Sequence, residues 1–262
     1  MKIYAAKNII TNQGKYKMSQ ENTLSQLRYL KLTGMTQAYT EQIEQPPIQN
    51  LSFEERFAML VDREILARGN RRIQNLLRSA KLRQQACIEN MDYQYPRNLN
   101  KSHFNSLMTC DFIRQHHNLI ITGPTGCGKS YLACVVGHQA CRQGLRVKYI
   151  RLPRFLEELT IAHADGSYGK LLGQILKADL LIFDDFALEP ALNPEQRRDL
   201  FNIIEDRHQL KSTLITSQLP VKHWHDYIGE PTTADAILDR LLEKTHRIEM
   251  NGESMRKNKL LD

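Results

Sequence analysis

The 262-residue sequence lacks features that define several common classes of protein. No apolar run approaches the roughly 20 residues that a membrane-spanning helix needs. The first ten residues, MKIYAAKNII, are interrupted by Lys7 and contain no signal-peptide core, so we expect a cytoplasmic protein with no membrane partner. The five cysteines form no C-x-x-C pair, which argues against a disulfide framework and against a zinc site.

Residues 1–19 contain no acidic side chain, although they carry Lys2, Lys7, Lys15 and Lys17. We interpret this segment as a basic flexible arm, and a merely solvated tail is the alternative. The whole chain has a formal net charge of +7, which suits an anionic partner.

The segment between Ile65 and Ile88 also lacks acids. Its apolar residues recur at helical spacing, at positions 73, 76, 77 and 80. A merely solvated helix face normally mixes charges of both signs, so this single-signed face favours contact with a phosphate backbone. The predicted DNA-binding residues are Arg68, Arg71, Arg72, Arg78, Lys81 and Arg83. No base-reading motif accompanies them, so we expect positioning contacts more than sequence readout.

Short helices are predicted before this segment. The first begins near Asn22, and the second ends before Pro46-Pro47. Ser52 and Glu55 have the spacing of a capping box, which opens a third helix. We expect that helix to bury the apolar side chains Phe57, Leu60, Val61 and Ile65.

After Asn100 the pattern changes to strands alternating with helices. The strand-like runs are NLIIT, LRVKYI, ADLLIFDD and STLITSQ. Apolar strands without polar alternation, separated by helices, predict a parallel sheet covered on both faces.

The stretch ITGPTGCGKS follows the first of these strands and precedes a helix. Its spacing, G-x-x-x-x-G-K-S, is that of the loop whose backbone N–H groups cradle the phosphates of a nucleotide. In such loops the lysine reaches the β- and γ-phosphates and the hydroxyl binds Mg²⁺, so ATP and Mg²⁺ are the predicted cofactors. The predicted nucleotide-binding residues are Gly123, Pro124, Thr125, Gly126, Cys127, Gly128, Lys129, Ser130 and Tyr131.

The run LLIFDDF places two adjacent carboxylates at the end of a buried strand, where unpaired like charges are costly. A metal ion explains them. We expect Asp184 to hold Mg²⁺ together with Ser130, and Asp185 to orient and deprotonate the attacking water. Glutamate is commoner than aspartate in the second role, so hydrolysis is expected to be slow. An ordinary strand-end turn is the alternative.

Two further groups complete the predicted catalytic set, which otherwise consists of Lys129 and Asp185. The strand STLITSQ ends in Thr216, Ser217 and Gln218, any of which can place a polar group near the γ-phosphate. Arg240 and Arg256 are candidates for the arginine that stabilises charge on the transferred phosphoryl group. Both arginines could instead be ordinary surface residues.

With the P-loop, the DD strand, TSQLP and the tail DRLLEKTHRIEMNGESMR, the sequence resembles the IstB-like ATP-binding proteins. These are AAA+ helper ATPases of IS21-type insertion sequences, akin to the DnaC helicase loader. The resemblance runs from about Asn22 to Lys257 and includes LSFEERF and RRIQNLLRSAKL, so the P-loop is not its sole basis.

The resemblance implies a P-loop AAA+ core with a five-stranded parallel sheet of order 5-1-4-3-2 after a small helical domain. We accordingly divide the chain into the arm (1–19), a helical DNA-binding and oligomerisation domain (20–90) and an ATPase domain (91–262). Arg240 would act in trans as an arginine finger, and Arg256 would be the nearest match to a second sensor. The implied partners are double-stranded DNA, a cognate IstA-like transposase and further copies of the chain.

Three other functions stay open at this stage. A helicase loader of the DnaC kind would favour single strands, and the N-terminal match weighs against it. A small-molecule P-loop kinase fits poorly with the DD motif and the basic helix. A non-hydrolysing nucleotide-gated module would make Asp185 and Arg240 catalytically irrelevant. The adenine pocket is expected around Asp92-Tyr93.

Overall fold

The structure is a computed structural model, and it describes residues 19–188 and 191–255. Residues 1–18 of the predicted arm lie outside the described residues. The chain divides into two compact units, Met1–Arg72 and Ile73–Asp262, and the division falls inside one long helix. The predicted division of the chain into an arm and two domains stays a prediction.

The described part of the first unit is helical. Its helices are α1 (19–29), α2 (Thr33–Glu44), α3 (Pro46–Gln49) and the first part of α4 (Phe53–Ala80). The predicted capping box opens α4, since the Ser52 N–H donates to the Glu55 carboxylate at 2.8 Å and the Glu55 N–H donates to Ser52 Oγ at 3.2 Å.

The contact between α2 and α4 in this unit is made by small and polar groups. The Glu64 carboxylate accepts hydrogen bonds from the backbone N–H groups of Gly34 at 2.8 Å and Met35 at 3.1 Å. A Cβ on Gly34 would meet the Arg63 carbonyl oxygen at 2.4 Å, so only glycine allows this approach. The carboxylate therefore satisfies free N–H groups at the N-terminus of α2.

The prediction that α4 buries its apolar stripe is wrong for two residues. Phe57 is 50% exposed and Ile65 is 62% exposed, while Leu60 and Val61 are half-buried. The side of α4 that meets α2 contains Glu64, and Ile65, one residue further, points roughly 100° away around the helix.

The second unit contains a five-stranded sheet in which every neighbouring pair is parallel. The order β2-β3-β4-β1-β5 is the predicted 5-1-4-3-2 read from the other edge, so that prediction is confirmed. The strands are β1 (Asn118–Thr122), β2 (Val147–Arg151), β3 (Leu180–Phe186), β4 (Ser212–Ser217) and β5 (Thr245–Glu249).

Helices cover both faces of the sheet, as the continuous apolar strands predict. One face packs against the end of α4, α5 (Lys101–Leu107), α6 (Asp111–Arg114) and α7 (Lys129–Arg142). The other packs against α8 (Leu152–Asp165), α9 (Tyr168–Leu176), α10 (Pro194–Arg207), α11 (Trp224–Ile228) and α12 (Pro231–Leu242). Short 3-10 turns occupy Ile88–Asn90 and Val221–His223.

Small side chains let α7 lie close to the sheet. Cys127, Cys134 and Cys141 are buried and unpaired, and a Cβ on Gly137 would meet the Ile182 Cδ1 atom at 2.9 Å. This packing brings the start of α7 to the ends of β1 and β3. In the described ranges, no helix combines the length and the apolarity that crossing a bilayer requires.

Candidate functional site

The loop between β1 and α7 is shaped by glycines in the left-handed region of φ. Gly126 has φ 84° and Gly128 has φ 96°. A Cβ on Gly126 would lie 2.0 Å from the Ser254 hydroxyl oxygen, and one on Gly123 would lie 2.4 Å from the Met250 carbonyl oxygen. Side chains are therefore excluded at these positions because the segment after β5 lies directly against the loop.

The lysine of the loop extends back across it. Lys129 Nζ donates to the carbonyl oxygens of Gly123 at 2.7 Å and Pro124 at 2.8 Å. Gly128 precedes the first turn of α7, whose backbone N–H groups have no acceptors within the helix. The loop therefore brings a cation and a helix N-terminus together, an arrangement that binds phosphate.

A cavity of about 680 Å³ opens beside the loop. Of the predicted nucleotide-binding residues, its lining includes Thr125, Gly126, Gly128, Lys129, Ser130 and Tyr131. Cys127 is buried in the core, and Gly123 and Pro124 shape the loop and accept hydrogen bonds from Lys129.

The first carboxylate of the DD pair is fully buried and receives four hydrogen bonds. Asp184 Oδ1 accepts from Ser130 Oγ at 2.8 Å and Thr216 Oγ1 at 2.5 Å. Asp184 Oδ2 accepts from the Tyr149 hydroxyl and from Arg83 Nη1 at 3.3 Å. Burial and the hydrogen bond to Asp184 raise the pKa of Tyr149 far above its usual range, so the phenol remains a donor.

The second carboxylate stands on a β-bulge. The β3–β4 register shifts between Phe183 and Phe186, and Asp185 has φ 61°, which is uncommon for a non-glycine residue. The Thr216 Oγ1 atom accepts the Asp185 N–H at 3.2 Å. A bulge turns a side chain away from the strand's alternation, and here Asp185 lines the cavity. Backbone strain of this kind typically costs about 1–3 kcal/mol and concentrates at functional sites.

Two arginines face the Asp185 carboxylate. Arg151 Nε donates to Oδ2 at 2.9 Å, and Arg83 Nη1 lies 3.8 Å from the same atom. Arg151 ends β2 directly beside Asp184 in the strand register. Sequence reasoning missed Arg151 and Tyr149, although both lie on β2, the strand next to β3, and Arg151 ends it.

The three polar residues at the end of β4 point to different places. Thr216 is buried and holds both aspartates. Ser217 is also buried, and its hydroxyl donates to the Phe186 carbonyl at 2.7 Å. Gln218 lines the cavity, where its side-chain oxygen accepts from Thr125 Oγ1 at 2.5 Å. This placement favours Gln218 as the γ-phosphate sensor, although the role of each residue stays a prediction.

The predicted arginine finger is separate from the cavity lining. Arg240 lies on α12, forms an ion pair with Glu205, and stacks over the Phe201 ring at 5.3 Å. It does not line the cavity of its own chain. Arg256 lies outside the described residues.

The six predicted DNA-binding residues have different surroundings. Arg68, Arg71, Arg72, Arg78 and Lys81 are exposed, with Arg68 paired to Glu64 at 2.8 Å and Arg71 donating to the Thr33 hydroxyl. Arg83 instead reaches the two aspartates, because the chain leaves α4 through Lys81, which has φ 52°. DNA contact by these residues stays a prediction.

Of the predicted adenine region around Asp92-Tyr93, Asp92 lines the same cavity and Tyr93 does not, and the adenine pocket stays a prediction. Asn90 and Arg97 also line the cavity, together with Tyr131, whose hydroxyl donates to the Asn90 carbonyl at 3.2 Å. Arg97 was not singled out from the sequence.

The fold is similar to that of the solved structures of DnaA and DnaI. AMPPCP-bound DnaA from Aquifex aeolicus matches with a TM-score of 0.56 and 20% identity, over 69% of this chain and 56% of that chain. DnaI matches with a TM-score of 0.54 and 19% identity, over 68% of this chain and 93% of that chain. These likenesses confirm the predicted α/β P-loop fold of the AAA+ class.

Sequence relatives cover nearly the whole chain. The insertion sequence ATP-binding protein y4pL of Sinorhizobium fredii is 48% identical over 90% of this chain and 96% of its own length. The ATP-binding protein of insertion sequence IS1162 from Pseudomonas fluorescens is 48% identical over 78% of this chain and 88% of its own. The family model described as IstB-like ATP binding protein matches residues 25–261. The chain therefore belongs to the IstB-like ATP-binding proteins.

Proposed function

We propose that this chain is an ATP-dependent, DNA-binding regulator of IS21-type transposition. It assembles on target duplex DNA with ATP, recruits and activates a partner transposase, and leaves the DNA after hydrolysis. The observation that carries the proposal is the continuous family match over residues 25–261, which includes the helical first unit and the basic part of α4 as well as the P-loop.

The site supports binding of MgATP followed by hydrolysis. The loop cradles the phosphates, and Lys129 turns from the loop carbonyls to the β- and γ-phosphates. Ser130 and Asp184, whose oxygens lie 2.8 Å apart, would hold Mg²⁺. Asp185 would orient the attacking water, with Gln218 as its partner near the γ-phosphate. The metal, when bound, would neutralise charge on the phosphates.

Self-association fits two features of the chain. Arg240 does not line the nucleotide cavity of its own chain, as expected of a residue that completes the site of a neighbouring subunit. The first unit exposes apolar side chains, among them Phe53, Phe57, Ile65 and Leu66, which suit contact with another chain. ATP binding would then drive assembly, because losing the γ-phosphate removes the ligand that joins the two subunits.

Binding to DNA rests on the exposed basic residues of α4. Phosphate contacts by arginine and lysine are salt-dependent and carry no sequence readout. The expected affinity for duplex DNA therefore falls steeply with salt and depends little on sequence.

The test is sizing of the purified protein with duplex or single-stranded DNA, in MgATP and in MgADP. Large complexes on duplex only with ATP, lost in Lys129→Ala and kept in the exposed control Lys170→Ala, would support the proposal. A preference for single strands would replace it with a helicase loader of the DnaC kind. A monomer indifferent to DNA in every condition would overturn both functions.

Hydrolysis is tested separately on the same preparations. Asp185→Asn and Arg240→Ala are expected to lower DNA-stimulated turnover by about a hundredfold or more. ATP-dependent assembly should be kept in Asp185→Asn, whereas Arg240→Ala should keep ATP binding but weaken assembly. Unchanged turnover in both variants would favour a nucleotide-gated module without these catalytic roles.

A further inference from the structure

Arg97 is a charged side chain buried in the wall of the nucleotide cavity. Only 2% of the residue is exposed, yet it lines the cavity. Its Nη2 donates to the Asp92 carbonyl oxygen at 2.6 Å, and its Nη1 lies 3.4 Å from the Met255 sulfur, a weak acceptor. Its Nε is buried and has no hydrogen-bond partner among the described residues.

The charge of Arg97 is not neutralised by the part of the chain that the structure describes. No described carboxylate forms an ion pair with it, whereas Arg83 and Arg151 in the same cavity both face Asp185. A buried guanidinium without an anion is strongly unfavourable, since desolvation is compensated only by a charged partner with good hydrogen bonds. The site is therefore incomplete without an anion.

The position of Arg97 indicates which anion completes it. A Cβ built on Gly128 would lie 3.0 Å from Arg97 Nη1. Gly128 is the residue before the first turn of α7, where a P-loop cradles the α- and β-phosphates of its nucleotide. The guanidinium therefore lies beside the part of the loop that cradles phosphates.

We propose that Arg97 is a second phosphate ligand, outside the P-loop, that binds the diphosphate of the nucleotide. The inference rests on the proposed binding of ATP by the loop and adds a cation that none of the predicted site residues supplies. Arginine is suited to this task because its planar fork donates to two phosphate oxygens at once.

A purely structural role is the competing explanation. Arg97 also links the segment before α5 to the tail, since its carbonyl accepts the Asn251 N–H at 3.1 Å. That bond uses the backbone and survives any substitution of the side chain. Among the described residues, the hydrogen bonds of the side chain go to one backbone carbonyl and one thioether, and neither carries the negative charge that would compensate the burial of a cation.

The experiment measures how ADP, AMP and adenosine displace a fluorescent ADP analogue from the protein. The variants are Arg97→Gln, which keeps donors but removes the charge, and Arg97→Lys, which keeps the charge but loses the fork. The control is Arg154→Gln, an exposed arginine on α8 that pairs with Glu158. Thermal unfolding without nucleotide is recorded for each protein.

Arg97→Gln is expected to weaken ADP binding by about tenfold to a hundredfold. Arg97→Lys should have an ADP affinity between those of the unmodified chain and Arg97→Gln. The affinity for adenosine should change less than about threefold in either variant. Equal losses for ADP and adenosine, or ADP binding unchanged in both variants, would overturn the proposal. If Arg97→Gln does not fold, Arg97→Lys decides by the same comparison of ADP with adenosine. Failure of the unmodified chain and of Arg154→Gln to bind ADP would overturn ATP binding itself, which is a different result.

Discussion

The two units of the chain differ in how far they bury their apolar side chains. In the second unit, Trp224 and Phe186 are buried and pack with ring centroids 4.5 Å apart. In the first unit, Phe53 and Phe57 also stack, at 5.8 Å, but on the surface. The same kind of contact thus belongs to a closed core in one unit and to an open face in the other.

The polar contacts of the two units also differ. The second unit surrounds buried Asp184 with donors from four separate elements: α7, β2, β4 and the segment after α4. Among the described residues of the first unit, the comparable cluster is the Glu64 carboxylate at the start of α2. The second unit is therefore organised around its site, whereas the first unit has surface available for contacts outside itself.

The largest contrast in stability is expected between two aromatic substitutions. Trp224→Ala removes a fully buried side chain whose Nε1 donates to the Leu219 carbonyl, and it should lower the free energy of unfolding by about 3–5 kcal/mol. Phe57→Ala, at a half-exposed position, should change it by less than about 0.5 kcal/mol. Urea unfolding followed by circular dichroism measures both. Similar losses in the two variants would contradict the contrast between the units.

The next effect concerns the polar network of the second unit. Thr216→Val keeps the shape of the side chain but removes one donor to Asp184 and the acceptor of the Asp185 N–H. We expect a loss of about 1–3 kcal/mol in the free energy of unfolding, because a buried carboxylate loses a hydrogen bond.

Ser217→Ala is the matched control on the same strand. Among the described residues, the Ser217 hydroxyl donates to the Phe186 carbonyl and accepts from the Leu219 N–H, so it contacts neither aspartate side chain. Thr216→Val should lower ATP turnover per folded molecule much more than Ser217→Ala. Equal turnover in the two variants would show that Thr216 does not position the aspartates.

A smaller effect is expected at the polar cluster of the first unit. Glu64→Gln weakens the contact with the Gly34 and Met35 N–H groups, at a cost of about 1 kcal/mol. Amide hydrogen exchange at residues 34 and 35 should therefore become several-fold faster, while exchange in β3 stays unchanged. Faster exchange in β3 as well would mean that the two units unfold together.

How much of the fold and of the candidate site can be predicted from the sequence depends on whether the signal in the sequence is local. The P-loop, the DD strand, the capping box at Ser52 and the sheet order follow from spacing or family resemblance, and the structure has them. Ile65 shows the limit for packing: periodicity finds the apolar stripe but not the surface that covers it. Arg83 shows the limit for charge: its place beside Asp184 depends on the left-handed turn at Lys81, which a count of basic residues does not reveal.

Acid is also expected to weaken the second unit before the first. Burial, together with the charges of His117 and His103, lowers the pKa of His246 on β5 below 6.5. The unfolded chain then binds a proton that the folded chain excludes, so this contribution to stability is complete above pH 6.5 and decreases as the pH falls below it. For Glu64, burial acts to raise the pKa, but the hydrogen bonds from Arg68, Met35 and Gly34 outweigh it, and the net shift is downward from 4.5. Its contribution therefore persists down to pH 4.5 and is lost only below that.

The second unit should consequently lose a little stability between pH 7.5 and 5.5, while the contact at Gly34 stays intact. His246→Gln should reduce that loss, and His225→Gln, at a half-buried histidine outside the His246 cluster, should leave it unchanged. Urea midpoints at the two pH values measure the loss, and hydrogen exchange at residues 34 and 35 reports the first unit. The effect is the smallest of the four because His246 is only half-buried, so water stabilises part of the charge that the fold disfavours. If the His246→Gln variant lost as much stability as the unmodified chain, the histidine cluster would have no part in the acid response, and the pH contrast between the units would have to come from other groups.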